Sequence, residues 1–177
     1  MKYVAHSLLP LCLLIAAAPV AAKNTQPHFN TIVVSHFANA NGMNQSQDFI
    51  NYFCDSLRSV LQQENLASQI VEESAQAANV TADDSLLIEG KFTGIDKGNL
   101  FVHDKLGLQI NIYRMSDHAL VKTITTKVEF ETSPLVQDMD KGDFTGRVTA
   151  FEINKALKNV SLSSIPAAPS GTGQAAH

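Results

Sequence analysis

Leu106-Gly-Leu-Gln-Ile-Asn-Ile-Tyr113 alternates apolar and polar side chains without a break: Leu106, Leu108, Ile110 and Ile112 on one side, Gln109, Asn111 and Tyr113 on the other. Side chains on a strand point to opposite faces in turn, so this period of two describes a strand with one face buried and one wet. Antiparallel sheets allow that arrangement. The pattern recurs downstream, with Ile124, Val128 and Phe130 facing one way and Thr125, Lys127 and Glu129 the other. Upstream, residues 86–95 are also strand-like. Asp96-Lys-Gly-Asn99 and Ser116-Asp-His118 supply turns between the three. Residues 86–132 are therefore predicted to form a three-stranded meander.

Ahead of the meander, Ile32-Val33-Val34 gives the continuous β-branched run of a strand covered on both faces, and the strand is predicted over 29–37. Asn39-Ala-Asn-Gly-Met-Asn44 reads as a turn into a helix. Phe49, Phe53, Leu57, Val60 and Leu61, joined by Ile50 and Cys54, then recur at helical spacing over 46–64, with Asn65 as a stop. A short strand is expected at 67–71, and an alanine-rich helix at 72–78. After the meander, residues 134–143 read as a polar loop. Ala150, Ile153, Leu157 and Val160 mark a helix from about residue 145 to about 162. The order of elements predicts an α/β two-layer sandwich (α+β), a mixed sheet with an antiparallel meander and helices packed on one face. Residues 23–165 are expected to form a single domain. Residues 166–177 lack an anchor for a core and are expected to be a disordered tail.

The chain opens with Lys2, an apolar run over 8–18, and Val20-Ala-Ala22 before Lys23. A run this short does not span a bilayer, and the small residues three and one before Lys23 match a signal-peptidase site. Residues 1–22 are read as a cleavable signal peptide, which implies a periplasmic or secreted product that is not transmembrane. Leu11 precedes Cys12 where a lipid-bearing cysteine wants a small residue, so a tethered lipoprotein is the alternative. Cys54 is then the sole remaining thiol, beside Phe53 and Leu57 on the apolar side of its helix, where cysteine packs as a small hydrophobe. Lys2 is the only charged residue ahead of Lys23, so the rest carries 12 basic and 17 acidic residues, a net charge of −5. That acidity, with no two basic residues adjacent, argues against nucleic acid as a partner. Asn44, Asn79 and Asn159 head N-x-[ST] triplets, but the absence of a disulfide framework favours a bacterial periplasm over a eukaryotic secretory route.

Asn30-Thr-Ile-Val-Val-Ser-His-Phe-Ala-Asn-Ala-Asn-Gly42, followed by a helix ending Leu57-Arg-Ser-Val-Leu61, resembles the opening of exported bacterial α/β domains. These include the amino-terminal domain of TolB and the outer-membrane lipoprotein activators of peptidoglycan synthases. Leu87-Ile-Glu-Gly-Lys-Phe-Thr-Gly-Ile-Asp96 and the strands after it are similar to a family of uncharacterised exported bacterial proteins, many of them lipoproteins. The chain departs from that family in lacking a lipobox cysteine and in having few basic residues over 98–105. The resemblance implies the fold and an envelope location, and it supplies no catalytic residue and no cofactor.

No G-x-S-x-G, Walker loop, G-x-G-x-x-G or C-x-x-C is present. Asp138-Met-Asp-Lys-Gly-Asp143 has the carboxylate density of a calcium loop, but Gly142 stands at its fifth position, where an oxygen ligand is needed, and Thr149 at its twelfth, where a glutamate is needed. A solvated loop with Asp143 capping the next helix is expected instead. Asp83-Asp84 and Glu72-Glu73 are sequence neighbours, which diverge on a strand or a helix. The histidines of the chain beyond the leader, His28, His36, His103, His118 and His177, include no pair at helical spacing. The leading expectation is a non-enzymatic protein that contacts envelope proteins. The partner-binding candidates are Phe37, Asn39 and Asn41 in one loop, and Gln109, Asn111, Tyr113 and Thr125, with Thr123 and Lys127, on the wet face of the meander. The alternatives are a small-ligand carrier, with a cavity that Phe49, Phe53 and Leu57 leave open, and a metal-dependent enzyme using His36, His103 and His118.

Overall fold

The computed structural model describes residues 29–73, 84–98, 103–130 and 137–168. The signal-peptide expectation lies outside them, as do most of the alanine-rich helix and the tail beyond 168. The described elements are β1 (Phe29–Val34), β2 (Ala38–Asn39), α1 (Gln47–Gln63), β3 (Ala67–Glu72), β4 (Ser85–Asp96), β5 (Asp104–Arg114), β6 (Leu120–Phe130) and α2 (Asp138–Leu157). A short 3₁₀ turn follows at Leu162–Ser164.

The alternation of β5 and β6 pairs them antiparallel, with Leu108 opposite Thr126 and Gln109 opposite Thr125. β4 pairs antiparallel with the other edge of β5. β1 lies parallel to both β3 and β4, because α1 carries the chain back before β3 begins. The sheet order is β3-β1-β4-β5-β6, with β2 pairing with β4. Two helices pack on one side of this mixed sheet, the α/β sandwich that the sequence predicts.

α1 forms where its apolar spacing indicates. Ser46 caps it by accepting the Phe49 N–H at 3.2 Å, and Asn65, at φ 52°, ends it in the left-handed region that asparagine tolerates. Its stripe of Phe49, Phe53, Leu57 and Leu61 packs with Ile32, Val34, Leu86, Ile88, Phe92, Leu108 and Ile110 in the main core. Cys54 lies in the same core, 4% exposed. Burial pushes its thiol pKa up, the opposite of what a nucleophile needs.

Three boundaries differ from expectation. The first strand ends at Val34. The Ser35 N–H still donates to the Ile88 carbonyl at 2.9 Å, but the chain then turns Phe37 inward before β2 resumes alongside β4. Glu72 belongs to β3 and not to a helix. α2 begins at Asp138, seven residues before the expected start, and ends at Leu157. The supposed acidic loop is thus its first two turns, and Asp143 is no cap. It accepts a hydrogen bond from Ser56 of α1, which holds its carboxyl below the usual range. Gly142, which reads as a loop residue, and Gly146 face α1 so closely that a Cβ on either would strike the Phe49 or Phe53 carbonyl.

Candidate functional site

The helix-free face of the meander carries the polar half of each alternating strand. Asn111 lies opposite Thr123 and accepts a hydrogen bond from its hydroxyl at 3.0 Å. Gln109 and Thr125 face each other one pair along. Two ion pairs stand toward the end where β5 begins: Lys105 bonds Glu129, and Lys127 bonds Asp96 at 2.6 Å. The first pair raises the Lys105 pKa and lowers that of Glu129 through their mutual hydrogen bond. Gln109 and Asn111 are half-buried, whereas Thr123, Thr125 and Lys127 are exposed. Across β5 the row continues onto β4, where Glu89 pairs with Asn111 and Lys91 with Gln109, so the face is a polar row with one charge of each sign beside it, held on a sheet whose reverse side is the core.

Tyr113 shares that face but has local work. Its ring stacks at 4.5 Å on His118 and packs against a small second cluster with Val33 and Leu87. His118 sits at φ 57° in the β5–β6 turn.

The structure divides the predicted loop. Asn39 is exposed, yet its amide is tied at both ends to the Gln45 backbone, donating to the carbonyl at 3.1 Å and accepting the N–H at 3.2 Å. Asn41 is exposed beside Gly42, whose φ of 84° makes the turn. Phe37 is 0% exposed, so its place among the contact residues is corrected. Its ring packs 4.7 Å from Phe53 and 6.0 Å from Phe92. Gly90 makes the space, since a Cβ there would fall on the Phe37 ring.

The three histidines of the enzyme alternative do not converge. His103 precedes β5 and His118 follows it, so eleven residues of strand, about 35 Å, separate them. Among the described residues no group of three or more His, Cys, Asp or Glu side chains is placed to share a metal ion. The carrier alternative loses its cavity, because Phe49, Phe53 and Leu57 are buried in contact with the sheet, Phe49 and Phe53 ring to ring with Phe92.

One arrangement escaped the sequence analysis. Arg114, at the end of β5 and 12% exposed, grips Asp117 with two bonds of 2.9 and 2.6 Å. It also donates to the carbonyls of Leu162, Ile165 and Pro166 at 2.8, 3.2 and 3.3 Å. Asp117 in turn accepts the N–H groups of Ala119 and Ala168. The Arg114 hydrogen bonds hold the Asp117 carboxyl well below the usual carboxylate range. Residues 166–168, expected to begin the tail, are part of the fold. The i,i+3 spacing of Arg114 and Asp117 across a turn was a legible signal for the pair but not for what it holds.

No protein-family model matches the chain, and no curated protein matches it in sequence. Among solved structures it is similar to the PelC dodecamer from Paraburkholderia phytofirmans, at 12% identity and a TM-score of 0.51, over 77% of this chain and 91% of that one. It is also similar to protein XCC0632 from Xanthomonas campestris, of the DUF330 family, at 11% identity and a TM-score of 0.51, over 75% and 85% of the two chains. TolB from Acinetobacter baumannii matches at 13% identity and a TM-score of 0.38, over 73% of this chain and 28% of that one. Such neighbours, with bacterial lipoproteins and hypothetical proteins among them, are the kind of protein that the sequence resembles. The likenesses to PelC and to XCC0632 show that this chain shares their fold.

Proposed function

We propose that this is a non-enzymatic protein of the bacterial cell envelope, exported to the periplasm or beyond, which works by contact with other envelope proteins. The contact surface is the open face of the meander, centred on Gln109, Asn111, Thr123 and Thr125, with Asn41 as a separate exposed point on the loop before α1. The observation that carries this reading is the open face itself, an accessible row of hydrogen-bonding side chains on β5 and β6 with Glu89 and Lys91 of β4 beside it. The leader-like opening of the chain supports the compartment, and a dodecameric neighbour in fold supports a role in assembly.

The test is affinity capture from envelope extract with the exported chain, beside a Gln109→Arg/Thr125→Arg variant of unchanged melting temperature. A reproducible partner retained by the parent and lost by the variant is expected. Capture that is indifferent to the substitutions would refute the face, and an empty capture would refute the contact reading.

A further inference from the structure

The outer side of α2 has a feature that the open face of the sheet does not explain. Phe144 and Phe151 are 47% and 55% exposed. They stand seven residues apart, two turns or about 10 Å along the helix. Asp140 and Lys155 are exposed as well, four residues before Phe144 and four after Phe151. At about 100° per residue the four side chains fall within roughly 60° of one another, on a single stripe. Neighbouring Arg147 is already tied to Asp143 at 2.9 Å, whereas Asp140 and Lys155 enter no ion pair among the described residues.

The stripe is symmetric in size and antisymmetric in charge about the point midway between the two phenylalanines. Two copies of α2 laid antiparallel across a two-fold axis at that point bring Phe144 of each onto Phe151 of the other. The same register sets Asp140 of each opposite Lys155 of the other. A parallel pairing would oppose Asp140 to Asp140 and Lys155 to Lys155. We infer that a second copy of this chain docks here, in an isologous dimer built on antiparallel α2 helices. This surface lies on the helical side of the molecule and goes beyond the open-face reading. The patch is small beside the roughly 800 Å² per partner of a standard interface, so the dimer is weak, with Kd on the order of 100 μM.

Sedimentation of the exported chain from about 1 μM to about 1 mM tests it. A monomer–dimer equilibrium is expected, weakened more than about tenfold by Phe144→Ser/Phe151→Ser through lost apolar burial. Asp140→Lys or Lys155→Asp alone should weaken it about tenfold, since each places two like-charge pairs in the interface. The double variant Asp140→Lys/Lys155→Asp should return Kd to within about threefold of the parent, because it restores both pairs with the signs exchanged. A monomer at every concentration, a dimer indifferent to the phenylalanines, or single charge losses that the double exchange fails to rescue would each overturn the proposal. Should the phenylalanine variant fold poorly, the charge variants, all at exposed positions, carry the test.

Discussion

Phe37 stands three residues past the end of β1, in a segment whose glycine and asparagines describe an exposed turn. The run Ile32–Val34 ahead of it predicts a strand through residue 37, but nothing near it in sequence says that its ring leaves the loop for the core. Its burial depends on Gly90, 53 residues on, and on Phe53 and Phe92, which meet it from α1 and β4. Truncation of Phe37 to alanine should therefore cost about 3–5 kcal/mol, the range for deleting a buried ring, and urea unfolding would measure it. A loss under about 1 kcal/mol would return the residue to the surface. Cys54 was legible where Phe37 was not, because its neighbours on the helix, Phe53 and Leu57, already describe the environment.

Of the two helices, α1 can be read from its own residues: a strong apolar stripe, the Ser46 cap and the Asn65 stop all agree. The first half of α2 cannot. Its buried side consists of Gly142, Thr145, Gly146 and Thr149, which form no apolar stripe, so the helix reads only from about residue 145 and its first turns as a loop. Those small residues are there because the helix axis runs against the α1 backbone, so the space their side chains would fill belongs to another element. The sign of a substitution separates the two views. Gly146→Ala would stabilise an isolated helix by about 1 kcal/mol, but here a Cβ meets the Phe53 carbonyl. A destabilisation of about 1–3 kcal/mol is expected from thermal melts. A gain in stability would mean that the helices are not so closely packed.

At the scale of the molecule, the Arg114–Asp117 pair joins the β5–β6 turn to the chain after α2, with bonds that reach Pro166 and Ala168. A chain ending at Ile165 should melt about 3 °C lower than one ending at Ala168, for loss of the bonds to Pro166 and Ala168. The clamp also gives a pH dependence. Because the folded Asp117 pKa lies below that of the unfolded chain, its stabilisation is complete above about pH 4 and is lost as pH falls toward the folded value. Asp117→Asn should therefore flatten the acid limb of the stability curve below pH 4 and leave its slope at neutral pH unchanged.

The five longer strands, the long helix, their order and the placing of the helices on one face were determined by the sequence alone, because alternation, helical spacing and turn residues act between neighbours in the chain. The polar row of Gln109, Asn111, Thr123 and Thr125 was legible for the same reason. What only the tertiary structure decided was the burial of Phe37, the early start of α2 and the capture of residues 162–168 by Arg114. Each depends on a partner 48 or more residues away that leaves room, supplies a backbone carbonyl or accepts a charge. Local periodicity carries no record of such partners, since contacts of that span exist only once the chain has closed on itself.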